Sequence, residues 1–221
     1  TPHVSAYNLT YEPGTLMTSW RDRGKLEIVA DETEVEMFDE TVSAFAAAGL
    51  ERYEVSNFAQ PSHASIHNRL YWQGLPYVGV GPGAHSFRMT EHHGLPLGER
   101  KEGRRNPDIY AASWLRGAGE FEFIEQVDAS AMAHERAMVG LRTVAGWHAE
   151  ATEKALLKGS LAAAGEVAAA HPDWCELTNG WLKPTGLGLR LANSLVLSAS
   201  RALDRHGEVG HKAIFGGRQS Q

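Results

Sequence analysis

The chain has 221 residues, 43% of them apolar and 22% charged, with a net charge of −6 and one cysteine. This is ordinary globular composition, with enough material for one large domain or two small ones. It argues against a disulfide framework, an iron–sulfur cluster held by this chain alone and a nucleic-acid surface built on basic runs, and no apolar stretch reaches the roughly 18 residues of a membrane span.

The chain opens without an initiator Met and enters an alternating strand at once, over residues 3–9, with Val4, Ala6 and Leu9 on one face. A chain that starts inside a strand is expected to be the C-terminal part of a longer protein. Pro13-Gly14 sets a loop over 11–15. A strong helix follows, capped by Asp31 with Glu34 three residues on; Val35, Phe38, Val42 and Phe45 form its apolar stripe, and Gly49 suits a left-handed C-terminal position. Residues 51–55 read as a short strand, 56–66 as a polar loop, and 77–80 as a further strand ending in Gly81-Pro82-Gly83. The alternation of strands and helix is α/β order and suits a parallel sheet or barrel.

Residues 91–105 read as a loop, with the basic patch Arg100-Lys101 to Arg104-Arg105 solvated. Residues 107–118 form a short helix with Ile109, Tyr110 and Trp114 inward. From Asp128 the pattern is helical: a first helix with Met132, Met138, Val139 and Leu141, then helices over 149–158 and 160–170. Residues 181–186 look like the turn of a β-hairpin wing. A last helix carries Leu187, Leu191, Ser194, Leu195 and Ser198 on one face, and residues 204–221 read as a flexible tail. Cys175, between apolar neighbours, is expected to be a packed, inert thiol.

Two motifs carry chemistry. In His67-Asn68-Arg69-Leu70-Tyr71-Trp72, an imidazole that can ligate iron stands beside an amide and two aromatic faces suited to a flat ring. Asn68 could orient the imidazole. The bland alternative is a loop histidine packed on aromatic neighbours, one of eleven in the chain. In the run from Gly79 to Phe87, three glycines and a proline leave amides bare for a ligand's carboxylate, ribose or adenine edge, or else make a tight turn; His85 then faces the cavity or the turn. Its spacing is not the dinucleotide fingerprint. Glu12 and Glu54 are either cavity groups or solvated loop carboxylates.

With these motifs in order along the chain, a family resemblance emerges. His3-Val4-Ser5-Ala6-Tyr7 through Glu12-Pro13-Gly14-Thr15, Ala48-Gly49-Leu50 through Tyr53-Glu54-Val55-Ser56-Asn57-Phe58-Ala59, His67 to Trp72, Gly79 to Ser86, and Glu135 to Arg142 resemble the HemW-type haem chaperones of the radical S-adenosylmethionine superfamily. These are close to the oxygen-independent coproporphyrinogen III oxidases. The resemblance implies an α/β fold: residues 1–95 as the C-terminal part of a partial TIM-like radical SAM barrel, 96–127 as a connecting loop and helix, 128–203 as a small helical winged-helix-like domain, and 204–221 as the tail. It implies S-adenosylmethionine and a 4Fe–4S cluster in the intact protein, the latter on a CxxxCxxC loop that this chain lacks. It carries haem binding onto His67, Asn68, Tyr71 and Trp72, with His67 on the metal, and S-adenosylmethionine binding onto Thr10 and His85. The implied partners are haem, an acceptor apo-haemoprotein and, as an open alternative, a second copy of the chain, with cytoplasmic location and no nucleic acid or membrane span. The implied function is haem transfer; the alternative is oxidative decarboxylation of coproporphyrinogen III. A nucleic-acid-binding winged helix is disfavoured, since the expected last helix is apolar and Ser-rich, with only Arg190 and Arg201 basic in it.

Overall fold

A computed structural model describes residues 1–92 and 94–208. It forms two compact units, residues 1–65 and the chain from Ile66 onward.

In the first unit β1 (His3–Ser5) is followed by α1 (Leu16–Asp22), α2 (Asp31–Ala47), β2 (Glu51–Arg52) and β3 (Asn57–Ala59). The strand expected over 3–9 stops at Ser5, because its partner β3 has only three residues to pair with it. The helix α1 has no counterpart in the sequence reading; Thr15 caps it by accepting from the Thr18 amide at 3.3 Å. Ala30, not Asp31, is the N-cap of α2, and it makes no side-chain cap bond. Asp31 falls in the first turn with Glu32 and Glu34, where carboxylates meet the positive end of the helix. The stripe of α2 faces the sheet only at its C-terminal half: Phe45 lies edge-on to buried Phe58 at 4.9 Å, whereas Val35 is exposed. Gly49 takes the left-handed conformation at φ 75°.

The sheet order is β1-β3-β2, and both pairings are antiparallel. The expected parallel arrangement is therefore modified. β1 and β2 run the same way, as a helix crossover requires, but β3 is inserted between them. The short link from β2 to β3 allows only a hairpin, since parallel neighbours need a dozen or more connecting residues.

The second unit begins with α3 (Ile66–Trp72) and a three-stranded antiparallel sheet of β4 (His85–His92), β5 (Leu95–Gly103) and, after α4 (Pro107–Leu115), β6 (Phe121–Val127). The loop expected over 91–105 is thus a hairpin strand. Hydropathy does not reveal it because cross-strand charges, not apolar alternation, hold it: Arg88 meets Glu99 at 2.7 Å, and Arg100 meets Glu125 at 2.8 Å. The basic patch is accordingly paired rather than free in solvent. The strand expected over 77–80 reduces to a single bridge, Tyr77 with Phe87. In α4 Ile109 and Trp114 are exposed, against expectation, and Ser113 is the buried residue, its hydroxyl bonded back to the Tyr110 carbonyl. Tyr110, as expected, turns inward and is half-buried, its hydroxyl accepting from the Gly81 amide at 3.1 Å.

The chain continues with α5 (Ala129–Gly140), β7 (Trp147–His148), α6 (Ala149–Ala155), α7 (Ser160–Ala170), β8 (Cys175–Thr178), β9 (Trp181–Pro184), α8 (Gly186–Arg190) and α9 (Ala192–His206). Asp128 caps α5 by accepting from the Ala131 amide at 2.8 Å. Met132 and Leu141 are buried but Met138 is exposed. The hairpin turn lies at Asn179-Gly180, both at positive φ, and 181–184 is its second strand rather than the turn. The buried stripe of α9 is Ala192, Leu195, Ala199, Ala202 and Leu203, while Leu187 and Ser194 are exposed. The helix runs on to His206; the tail expected from 204 otherwise lies largely outside the described residues. The core of this region is built on Trp147, whose indole N–H donates to the Thr152 hydroxyl at 2.9 Å, with Leu141, Leu182, Leu195 and Leu203 around it. Cys175 is buried there, and burial pushes its thiol up to about 11.

Candidate functional site

The His67 motif is a helix, not the end of a loop. Its last turn closes with the Leu75 amide on the Leu70 carbonyl at 3.0 Å and the Gly74 amide on the Tyr71 carbonyl at 2.9 Å. Gly74 stands at φ 61°, so the stop signal is a glycine in the left-handed position. Helical spacing sorts the four motif residues into two stripes, because residues four apart share a face and consecutive ones do not. His67 and Tyr71 share one, with ring centroids 4.8 Å apart and planes at 86°. Asn68 and Trp72 share the other, and both are half-buried. The His67 ring is exposed, and the Trp72 Nε1 is buried with no hydrogen-bond partner among the described residues.

The aromatic contacts continue beyond the motif. Tyr71 packs edge-on to Tyr77 at 4.6 Å, and Tyr77 lies against Phe87 at 6.3 Å. The Arg100 guanidinium sits 5.7 Å over the Phe87 ring and is held by Glu125 at 2.8 Å and by both oxygens of Glu135 at 2.8 and 2.9 Å. Burial pushes the Tyr77 hydroxyl above its ordinary value, partly offset by Arg100. A ridge His67–Tyr71–Tyr77–Phe87 therefore leads from the exposed imidazole to a charged cluster of Arg100 on β5, Glu125 on β6 and Glu135 on α5. Sequence reasoning missed Tyr77 and Arg100; the signal for α5 was present in the Glu135–Arg142 motif.

The glycine-rich run resolves in favour of the tight turn. The Gly79 amide donates to the Ser86 hydroxyl at 2.9 Å, the Gly81 amide to the Tyr110 hydroxyl at 3.1 Å, and the Gly83 amide to the Arg104 carbonyl at 3.1 Å. The amides expected to meet a ligand are spent on the protein itself. Gly79 is required by close approach, since a Cβ there would stand 2.1 Å from the His85 carbonyl oxygen.

His85 opens β4, half exposed, 4.0 Å from a Glu102 oxygen and edge-on to Phe123 at 5.7 Å. Glu102 is buried and bound to Arg105 at 2.5 Å, which holds its carboxyl below the usual range. Thr10 is exposed, in the first unit, between β1 and α1. Of the two candidate carboxylates, Glu12 is exposed, whereas Glu54 is fully buried and bonded to the Asn57 amide and the Ser56 N–H.

Among the described residues no group of three His, Cys, Asp or Glu could hold a metal ion. Cys175, a neutral thiol inside the core, does not fit a cluster. A haem makes a smaller demand, because the porphyrin brings four nitrogens and asks the protein for an axial side chain. Exposed His67 fits that demand.

No family model matches the chain. It is 32% identical over 170 residues to the heme chaperone HemW of Synechocystis sp., covering 74% of this chain and 40% of that protein. It is 37% identical over 108 residues to radical S-adenosyl methionine domain-containing protein 1, mitochondrial, of Danio rerio, covering 49% of this chain and 24% of that protein. Against the heme chaperone HemW of Bacillus subtilis the identity is 39% over 85 residues, 38% of this chain and 22% of that one. The chain thus spans two fifths or less of these relatives. Among solved structures, coproporphyrinogen III oxidase (HemN) from Escherichia coli, a radical SAM enzyme, aligns with a TM-score of 0.63 over 90% of this chain and 48% of its own, at 14% identity. That likeness shows a shared mixed α/β fold. The motifs and these relatives agree, and the chain is a relative of the HemW-type proteins of the radical S-adenosylmethionine superfamily.

Proposed function

We propose that this chain is the haem-handling portion of a haem chaperone, binding haem at α3 and passing it to an acceptor apo-haemoprotein. The observation that carries the reading is the motif helix itself. An exposed imidazole, His67, is braced edge-on by Tyr71 at 4.8 Å at the end of a continuous aromatic ridge. In this reading His67 supplies the axial nitrogen, Tyr71 and Trp72 offer apolar surface to the macrocycle, and Asn68 completes the motif. An exposed ligand suits cargo that must leave again. Titration of the chain with haemin tests the reading: a saturable Soret shift that His67→Ala weakens is expected, and unchanged spectra and affinity in the variant would remove His67 from the iron.

The relatives named as heme chaperones favour this over coproporphyrinogen III decarboxylation, whose support is a likeness of fold. Residues 1–95 are read as part of a radical SAM barrel, and Thr10 in the first unit and His85 in the second are each read as S-adenosylmethionine-binding residues of the intact protein. The order α5-β7-α6-α7-β8-β9 supports a winged-helix reading of the C-terminal region. Its third helix, α7, contains no Lys or Arg, which favours a protein or haem partner over nucleic acid. A cytoplasmic location belongs to the same proposal; among the described residues no helix is long and apolar enough to cross a membrane.

A further inference from the structure

Beside the motif helix stands a cation that the fold does not use. Arg136 lies on α5, which packs against α3, and its side chain reaches across the last turn of the motif. A Cβ on Gly74 would come within 3.0 Å of the Arg136 Nε and 3.2 Å of its Cδ, so the glycine that ends α3 also leaves room for this guanidinium. Arg136 is half-buried and has no hydrogen bond or ion pair among the described residues. Burial alone pushes its guanidinium below the usual arginine value. Its neighbour Glu135 does not neutralise it, because both Glu135 oxygens are taken by Arg100.

Among the described residues the other guanidinium groups around the ridge are paired, save that of Arg69 on α3, which is exposed to solvent and so keeps its hydration. Arg100 has two carboxylates, Arg105 has Glu102, and Arg142 donates to the Met138 carbonyl at 2.7 Å and the Asn193 amide oxygen at 2.9 Å. A partly desolvated, unpaired cation gains most from a planar anion that can accept two parallel N–H bonds, which is a carboxylate. The helix rises about 8 Å from His67 to Trp72, so a flat ligand with its metal at His67 and acidic arms at its rim could lie along the ridge toward Gly74.

We propose that Arg136 receives a propionate carboxylate of the haem and so sets the orientation in which the macrocycle is held. The inference rests on the haem-binding reading of α3 and adds the acidic edge of the ligand as a second point of recognition. It makes the site selective for porphyrins with free carboxylates over their esters.

The experiment compares haemin with haemin dimethyl ester on the full 221-residue chain, by visible absorption and by competition, in the wild type, Arg136→Gln and Arg136→Lys. The expected result is a loss of about tenfold in haemin affinity for Arg136→Gln, a similar loss when the wild type is offered the ester, and no further loss when the two changes are combined. Arg136→Lys, which keeps the charge but not the fork, should recover part of the affinity. Equal binding of acid and ester by the wild type overturns the inference while leaving haem binding at His67 intact. So does an Arg136→Gln variant that loses both ligands in parallel, which would mean that the arginine only covers Gly74 with its stem. A wild type that binds neither ligand removes the haem reading itself, and this inference with it.

Discussion

At the scale of single residues, the motif is defined by what its side chains leave open. His67 sits exposed in the first turn of α3, with Tyr71, one turn on, against one edge of its ring. His67→Ala is expected to weaken haemin binding and shift the Soret band, with the melting temperature of the apo chain changed little, since an exposed side chain contributes little to packing. Gly79 illustrates the opposite kind of residue. Its substitution by alanine drives a methyl into the His85 carbonyl, and we expect a loss of about 1–3 kcal/mol, read from urea denaturation. Cys175 is held in the core with its thiol raised to about 11, so it is neutral throughout the ordinary range. Alkylation at pH 8 should be slow in the native chain and fast after denaturation; rapid native labelling would contradict its placement.

At the scale of elements, charges and caps decide where helices and strands begin. Asp128 closes the first turn of α5, the helix that carries Glu135 and Arg136. Asp128→Ala should cost about 1 kcal/mol, a fall of roughly 2–4 °C in melting temperature. The β4–β5–β6 sheet depends on ion pairs across its strands. Hydrogen bonds from Arg88 and Lys101 hold the Glu99 carboxyl at about 2 instead of 4.5. A carboxyl whose folded value is depressed contributes stability that is fully present above its unfolded value and is lost as pH falls through the folded one. The sheet is therefore expected to weaken between about pH 4.5 and 2, and Glu99→Gln should flatten that part of the melting-temperature profile. These same pairs explain why the hairpin is hard to see in the sequence. Residues 91–105 have the composition of a solvated loop, and only the register, which sets Arg88 opposite Glu99 and Arg100 opposite Glu125, shows that the charges are partners. The helices α2, α5 and α7 are legible from spacing because it depends on near neighbours in the chain, although of the three only α5 starts on a side-chain cap.

At the scale of the whole molecule, the two units differ in how much they bury. In the first, Leu50, Phe58 and Ala59 are the buried apolar residues, and α2 has none in seventeen positions. In the second, a continuous core surrounds Trp147 and Leu182. Residues 1–95 expressed alone are expected to aggregate or to melt without cooperativity, because their short sheet has open edges and little core beneath it. A monodisperse fragment with a sharp thermal transition would contradict this.

The sequence by itself determined the motif at His67–Trp72, the principal helices, the buried thiol and the resemblance to HemW-type proteins. All of these rest on residue type and short spacing. Only the tertiary structure decided that the glycine run spends its amides on Ser86, Tyr110 and Arg104, that β3 separates two strands of like direction, and that Arg136 stands beside Gly74 with no partner among the described residues. The physical reason is that hydrogen-bond satisfaction and charge pairing are settled by groups far apart in the chain. Spacing shows which residues share a face, but only folding shows which polar groups have already found a partner.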